Sequence, residues 1–171
     1  MTTDQTNTAS DSTVIGNVIR FDDDHYGLHT EILIDAPASR VWAVLTDWTE
    51  PLSWSSSFLG VVGEARNGAN VTAVYDDGEG GRLELSRENL IFDDGVEFGW
   101  SEEPPPPFQG FVDRHRYRVE PIATDQTRFI QSDSFQVIGP NETYTSESLA
   151  RALLDMYLRF NAELKSAVMS T

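Results

Sequence analysis

The last stretch of the chain, residues 145–169, most constrains what this sequence can fold into. Apolar side chains recur there every three or four positions, which is the spacing of one face of an α-helix. About 25 residues at 1.5 Å each form a helix on the order of 37 Å long. A helix of this length with one apolar face needs a large apolar surface to pack on. The apolar positions are Leu149, Leu153, Met156, Tyr157, Phe160, Leu164 and Val168.

The middle of the chain predicts that surface as a curved antiparallel sheet of about seven strands. Short strand-like segments there are separated by Gly, Asn and Asp residues typical of turns. Two short helices are expected after the first strand, over residues 41–47 and 52–58. The predicted strands are 28–35, 59–65, 69–75, 82–90, 96–100, 110–120 and 127–138.

The length of 171 residues indicates a single domain. Residues 27–171 are assigned to it, and residues 1–26 to a flexible tail. Within the tail, residues 1–12 lack apolar side chains and are expected to be disordered. Residues 14–21 fit either an extra edge strand or a segment packed on the domain. The chain has no cysteine, which excludes disulfides, thiolate metal sites and cysteine nucleophiles.

The net charge of −16 argues against nucleic acid and anionic membranes as partners. No segment predicts a membrane span or a signal peptide, so a cytoplasmic protein is expected. Lys165 is the only lysine beside eleven arginines. This bias fits either a salt-rich cytoplasm or a GC-rich genome that favours Arg over Lys.

The order of these elements, with its residues, resembles the START-like or SRPBCC superfamily, which has the helix-grip fold. The segment ILIDAPASRVWAVLTDWTEPLSW is similar to the family's first strand, its Ala-Pro turn and its Trp-bearing short helices. The segments FQGFVDRHRYRVEP and TRFIQSDSFQVIG resemble its last two strands, and YLRFNAELK resembles the end of its closing helix. The resemblance implies an α+β fold that holds an apolar ligand between the sheet and the long C-terminal helix.

Alternation along the last two strands predicts which side chains face that space. In residues 110–120 three arginines share the even face, so the odd face should point inward. Two hairpin registers keep odd residues together. One places His115 opposite Asp133, and the other places Asp113 opposite Asp133. Because two opposed buried carboxylates are costly, the first is expected.

These inward polar residues have two interpretations. Either Asp113, His115, Gln131 and Asp133 orient the polar end of a ligand, or His115 satisfies Asp133 while Asp113 lies in water near the open end of the sheet. Aromatic residues of the mid-sheet strands, the last two strands, the second short helix and the last helix complete the predicted ligand-binding set, together with Asn161 of the last helix. That set is Trp54, Phe58, Tyr75, Phe98, Trp100, Phe111, Asp113, His115, Tyr117, Gln131, Asp133, Phe135, Tyr157 and Asn161.

Three functions fit the sequence. The first is a non-catalytic protein that binds a lipid, a polyketide-like molecule or another hydrophobic small molecule. The second is a cyclase-like or aromatase-like enzyme with His115 as its acid–base residue. The third is an interaction domain similar to activators of a heat-shock chaperone. The histidines have no metal-ligand spacing, so no metal or other cofactor is expected; homodimer formation is left open.

A run of prolines at 104–107, followed by Phe108, predicts a stiff extended segment. It fits a rigid lip of the binding site, a spacer between two strands or a motif recognised by a proline-binding domain.

Overall fold

The computed structural model describes residues 14–170, so the predicted disorder of residues 1–12 lies outside the described part of the chain. The last helix has the predicted position and length. The described elements are β1 (Ile15–Arg20), β2 (His25–Ile34), α1 (Ala38–Leu45), β3 (Phe58–Val62), β4 (Val71–Asp76), β5 (Arg82–Arg87), β6 (Ile91–Asp93), β7 (Glu97–Glu102), β8 (Phe111–Ala123), β9 (Gln126–Val137) and α2 (Ser146–Ser170).

The strands form two antiparallel sheets. Six of them have the order β1-β2-β9-β8-β7-β6, and the other three have the order β3-β4-β5. The helix α2 packs against β1, β2 and β9. Within residues 14–170, neither helix is long and apolar enough to cross a membrane.

The described residues form nine strands where about seven were expected, because β1 and β6 are also strands. All six residues of β1 pair with residues 26–31 of β2, and β1 lies at the end of the strand order, so this segment is an edge strand. The short strand β6 pairs with the start of β7 through three residue pairs. Its three residues are too few to show a periodic pattern, so this strand could not be predicted from the sequence.

The second predicted short helix, over residues 52–58, is also wrong, because this segment contains only turns and bends. The amide of Ser57 bonds the hydroxyl of Ser55, and the amide of Ser56 bonds the carboxylate of Glu163 on α2. Serine side chains and Glu163 therefore supply hydrogen bonds that compete with those of a helix.

The hairpin of β8 and β9 has the expected register. Asp113 faces Phe135, and Tyr117 faces Gln131, which is the register that sets His115 across from Asp133. The odd residues of β8 from Phe111 to Val119 are buried, while the arginines at even positions are not.

Phe160 joins α2 to the sheets at the centre of the larger core cluster. It is 1% exposed. Its ring centroid lies 5.2 Å from that of Trp54, 5.6 Å from Tyr117 and 6.1 Å from Phe129. Aromatic side chains from α2, the six-stranded sheet and the segment before β3 therefore meet at this residue.

We expect Phe160→Ala to lower the free energy of unfolding by about 3–5 kcal/mol, because it leaves a cavity among packed rings. Urea denaturation monitored by circular dichroism measures this change. The control is Arg151→Ala on the exposed side of the same helix, which removes an ion pair with Glu147 and should cost less than about 1 kcal/mol. Similar losses in both variants would contradict the role of Phe160.

Candidate functional site

A cavity of about 380 Å³ lies between α2, the three-stranded sheet and the inward faces of β8 and β9. Its volume is within the range of roughly 300–1,000 Å³ typical of small-molecule sites. One part of its wall is apolar, and its most deeply buried part is polar. We call that polar part the deep end: Arg87, Asp113, His115, Asp133 and Tyr157. The apolar wall consists of Leu83, Leu85, Phe108, Phe135, Leu149, Leu153 and Met156.

Exposed residues surround the opening of the cavity. Asp76, Asp77 and Gly78 come from the end of β4 and the turn after it, Ser56 from the segment before β3, and Arg159 from α2. Pro104 and Phe108 also line the cavity. Of the alternatives for the proline run, the structure therefore supports a lip of the site.

Arg87 connects the two sheets at the deep end. It is the last residue of β5 and is 3% exposed. Its Nη2 donates to Oδ2 of Asp113 on β8 at 3.1 Å, and its Nη1 lies 3.8 Å from Oε1 of Glu102 on β7. The guanidinium also lies over the ring of Trp100, 4.8 Å from its centroid. Since β5 forms no backbone ladder with the larger sheet, these side-chain contacts bridge the two sheets.

Tyr157 connects α2 to the same deep end. Its hydroxyl donates to Oδ2 of Asp133 at 2.6 Å and lies 3.2 Å from Nδ1 of His115. That nitrogen is 3.5 Å from the same Asp133 oxygen. The predicted pairing of His115 with Asp133 is therefore present, with the Tyr157 hydroxyl bonded to both.

The other nitrogen of His115 fixes its tautomer. The amide Nε2 of Gln131 lies 3.0 Å from Nε2 of His115. Because an amide nitrogen only donates, His115 Nε2 accepts and the ring proton is on Nδ1. Burial lowers the pKa of His115 well below its usual value, and the charge of Arg87 adds to this effect. The ring is therefore neutral near pH 7, with both nitrogens engaged by protein groups.

The carboxyl groups of Asp113 and Asp133 share a proton. Burial raises the pKa of Asp133 well above its usual value, and the nearby charge of Asp113 raises it further. Burial also raises the pKa of Asp113, but the Arg87 guanidinium opposes this effect. Since two adjacent buried carboxylates cannot both ionise cheaply, the proton is on Asp133, and Asp113 is the anion paired with Arg87.

Asp113, His115 and Asp133 also place three potential metal-ligand atoms within 4.8 Å of one another. Two neighbours compete with an ion for these atoms. Arg87 holds its positive charge 3.1 Å from Asp113, and the Tyr157 hydroxyl contacts both His115 and Asp133. The geometry therefore favours a hydrogen-bonded network over a metal centre.

The structure brings six of the predicted ligand-binding residues to the cavity and leaves eight away from it. Among those eight, Gln131 and Trp100 contact the deep end from behind, through His115 and Arg87. Asn161 donates to Thr30 in the core. The six lining residues are Tyr75, Asp113, His115, Asp133, Phe135 and Tyr157.

The remaining five of the eight are packing residues. Phe58, Phe98 and Tyr117 stack on one another in the core. Phe111 packs edge-on against Phe135. Trp54 packs on Phe160 and lines a separate, smaller hollow beside Pro51, because its segment does not form the expected helix.

Sequence reasoning missed Arg87 and the apolar residues of β5. A pattern was present: Leu83, Leu85 and Arg87 alternate on one face of the strand. By register, Leu83 pairs with Tyr75 and Leu85 with Ala73 on β4. The predicted inward position of Tyr75 could therefore have identified this face of β5.

We expect the stability of the wild type to fall, relative to Asp133→Asn, as pH rises above about 4. The folded pKa of Asp133 is raised, so the folded state keeps a proton that the unfolded state loses. Its contribution is complete below the unfolded pKa and is lost as pH rises through the folded pKa, at up to about 1.4 kcal/mol per pH unit. Urea unfolding at a series of pH values measures the difference.

The control for this experiment is Asp125→Asn in the exposed turn between β8 and β9. Its stability curve should run parallel to that of the wild type. An infrared carbonyl band of a protonated carboxyl should be present in the wild type and absent in Asp133→Asn. Parallel pH curves for the wild type and Asp133→Asn would contradict proton sharing.

Several solved structures share this fold. The Zhui aromatase/cyclase from Streptomyces sp. R1128 is 15% identical, with a TM-score of 0.63, over 85% of this chain and 94% of that chain. A START superfamily protein from Mycobacterium smegmatis is 11% identical, with a TM-score of 0.62, over 84% and 97%. Human STARD10 is 10% identical, with a TM-score of 0.58, over 91% and 73%. At these identities the likeness shows the fold alone.

The helix-grip fold predicted from the sequence is thereby confirmed. A comparison with individually curated proteins gives no match. Residues 27–168 match the family described as "Polyketide cyclase / dehydrase and lipid transport". This match spans most of the chain and agrees with the START-like resemblance of its strands and closing helix. The chain therefore belongs to the polyketide cyclase/dehydrase and lipid transport family, within the START-like (SRPBCC) superfamily.

Proposed function

We propose that this protein binds an apolar or aromatic small molecule in the cavity beneath α2 and releases it unchanged. The observation that carries the proposal is the cavity itself, in which an apolar wall leads to a buried polar end. Burying apolar ligand surface there contributes roughly 25 cal/mol per Å². The polar end gives the ligand an orientation, since few polar groups are needed for that purpose.

The structure favours binding without catalysis by His115. A general base must reach the proton that it removes. Here Nε2 of His115 accepts from Gln131, and Nδ1 is directed at Tyr157 and Asp133. Neither nitrogen has a free lone pair facing the cavity.

One observation supports a cyclase-like enzyme as a second candidate. The carboxyl pair of Asp113 and Asp133 lines the cavity and holds a proton there. A buried carboxyl of raised pKa can serve as a general acid. In that case Asp133→Asn should abolish turnover of a cyclisable substrate and leave its binding intact, while a wild type that binds such a substrate without converting it would contradict this candidate.

Native mass spectrometry of the purified protein tests the binding proposal directly. We expect a co-purified apolar molecule, or a stoichiometric complex after addition of the uncharged fluorophore N-phenyl-1-naphthylamine. A ligand at 100 times its dissociation constant should raise the free energy of unfolding by about 2.7 kcal/mol. Absence of any complex and of any stabilisation would contradict the proposal.

We expect the double substitution Leu153→Trp and Met156→Trp to weaken binding of this fluorophore by about tenfold or more, because both side chains line the cavity from α2 and larger rings would fill it. Fluorescence titration measures the affinity, and circular dichroism checks the fold. The control is Ala152→Trp, which adds an indole to the exposed face of the same helix and should leave the affinity unchanged. Equal affinities in all three proteins would place the binding site elsewhere.

A further inference from the structure

We propose that the deep end of the cavity selects uncharged ligands and rejects those that carry a carboxylate, sulfonate or phosphate group. This inference rests on the proposed binding function and adds the chemical class of the ligand. The observation behind it is the charge balance of the buried wall. This charge balance is inferred from the contacts of Arg87 in this chain and not from its family membership.

Arg87 is the cation of the deep end, and its charge is already neutralised. Its Nη2 lies 3.1 Å from Oδ2 of Asp113, and its Nη1 lies 3.8 Å from Oε1 of Glu102. Asp133 holds a proton, and His115 is neutral. The deep end therefore contains one cation and at least one anion in contact, with no surplus positive charge.

An anionic ligand group placed here would be buried next to Asp113 without a cation of its own. An ion in a dry site is stable only when it is paired and hydrogen-bonded. An uncharged ligand group avoids this cost. Arg87 lines the cavity but is only 3% exposed, and its Nε and Nη1 are covered by protein atoms. The side chain therefore presents almost no accessible positive charge with which an anionic ligand group could pair.

The opening of the cavity has the same bias. Asp76 and Asp77 lie beside it with Arg159 as the one cation among its lining residues there. The chain as a whole carries a net charge of −16. An approaching anion is therefore repelled by the carboxylates at the opening. At the deep end its charge finds no unpaired cation.

The test uses two fluorophores that share one ring system. N-phenyl-1-naphthylamine is uncharged, and 8-anilino-1-naphthalenesulfonate is the same molecule with a sulfonate. We expect the wild type to bind the uncharged probe about tenfold or more tightly than the sulfonate at pH 7. Equal affinities, or tighter binding of the sulfonate, would overturn the inference and leave the proposed function standing. Binding of neither probe would overturn both.

Two variants test whether Arg87 and Asp113 set this preference. Asp113→Asn combined with Asp133→Asn leaves Arg87 without its nearest anion and without a second carboxyl that could replace it, so the affinity ratio should shift toward the sulfonate by about fivefold or more. Adding Arg87→Gln to that variant removes the positive charge as well and should restore the preference for the uncharged probe. Circular dichroism and thermal unfolding show whether each variant folds. A ratio that is unchanged in the folded variant with both asparagines would overturn the inference.

The salt dependence of binding distinguishes the contribution of the buried charges to ligand selectivity from that of the acidic surface. At about 1 M NaCl the Debye length is about 3 Å, so surface charges are screened and buried pairs much less so. We expect the preference of the wild type to persist at this salt concentration. Its loss would assign the selectivity to the surface and overturn the role of the deep end. The wild-type measurements remain decisive even if neither variant folds.

Discussion

The register between β8 and β9 is the constraint on which the site depends. Side chains alternate across a strand, so a slip of one residue would exchange the two faces. The face that now carries Asp113 and His115 would turn to solvent. Arg114, Arg116 and Arg118 would turn toward α2, where Asp133 on β9 would be a single buried carboxyl facing three arginines. The arginines on the even face thus specify the register as strongly as the apolar residues on the odd face do.

Once this register is fixed, the three-stranded sheet and α2 each add one residue to the hydrogen-bonded network of the deep end. Both residues are distant in sequence from the carboxyls that they contact. Arg87 comes from 26 residues before Asp113, and Tyr157 comes from 24 residues after Asp133. The two β8–β9 carboxyls thereby become the point at which the small sheet, the large sheet and α2 meet. The polar cluster is both a part of the cavity wall and a set of links between elements that share few backbone hydrogen bonds.

The sequence predicted the features that follow from periodicity and missed those that follow from tertiary contact. The helix α2, the hairpin register and the inward face of β8 each depend on a local pattern, and each is present. Arg87 was missed because an arginine at the end of a short strand is normally exposed to solvent. Only the contact with Asp113 makes its burial favourable. The segment around Trp54 was misread because its spacing is helical, while its serines and Glu163 supply competing hydrogen bonds.

The network is more polar than the fold requires. Replacing a buried ion pair by apolar side chains of similar volume is often neutral or stabilising, so stability alone does not account for Arg87 and Asp113. The cavity beside them could have been closed by larger side chains, as the stacked rings of Phe58, Phe98 and Tyr117 close the neighbouring core. Instead, both Arg87 and Asp113 line an open cavity. A buried ion pair beside an open cavity is therefore better explained by ligand binding in that cavity than by a contribution to the stability of the fold.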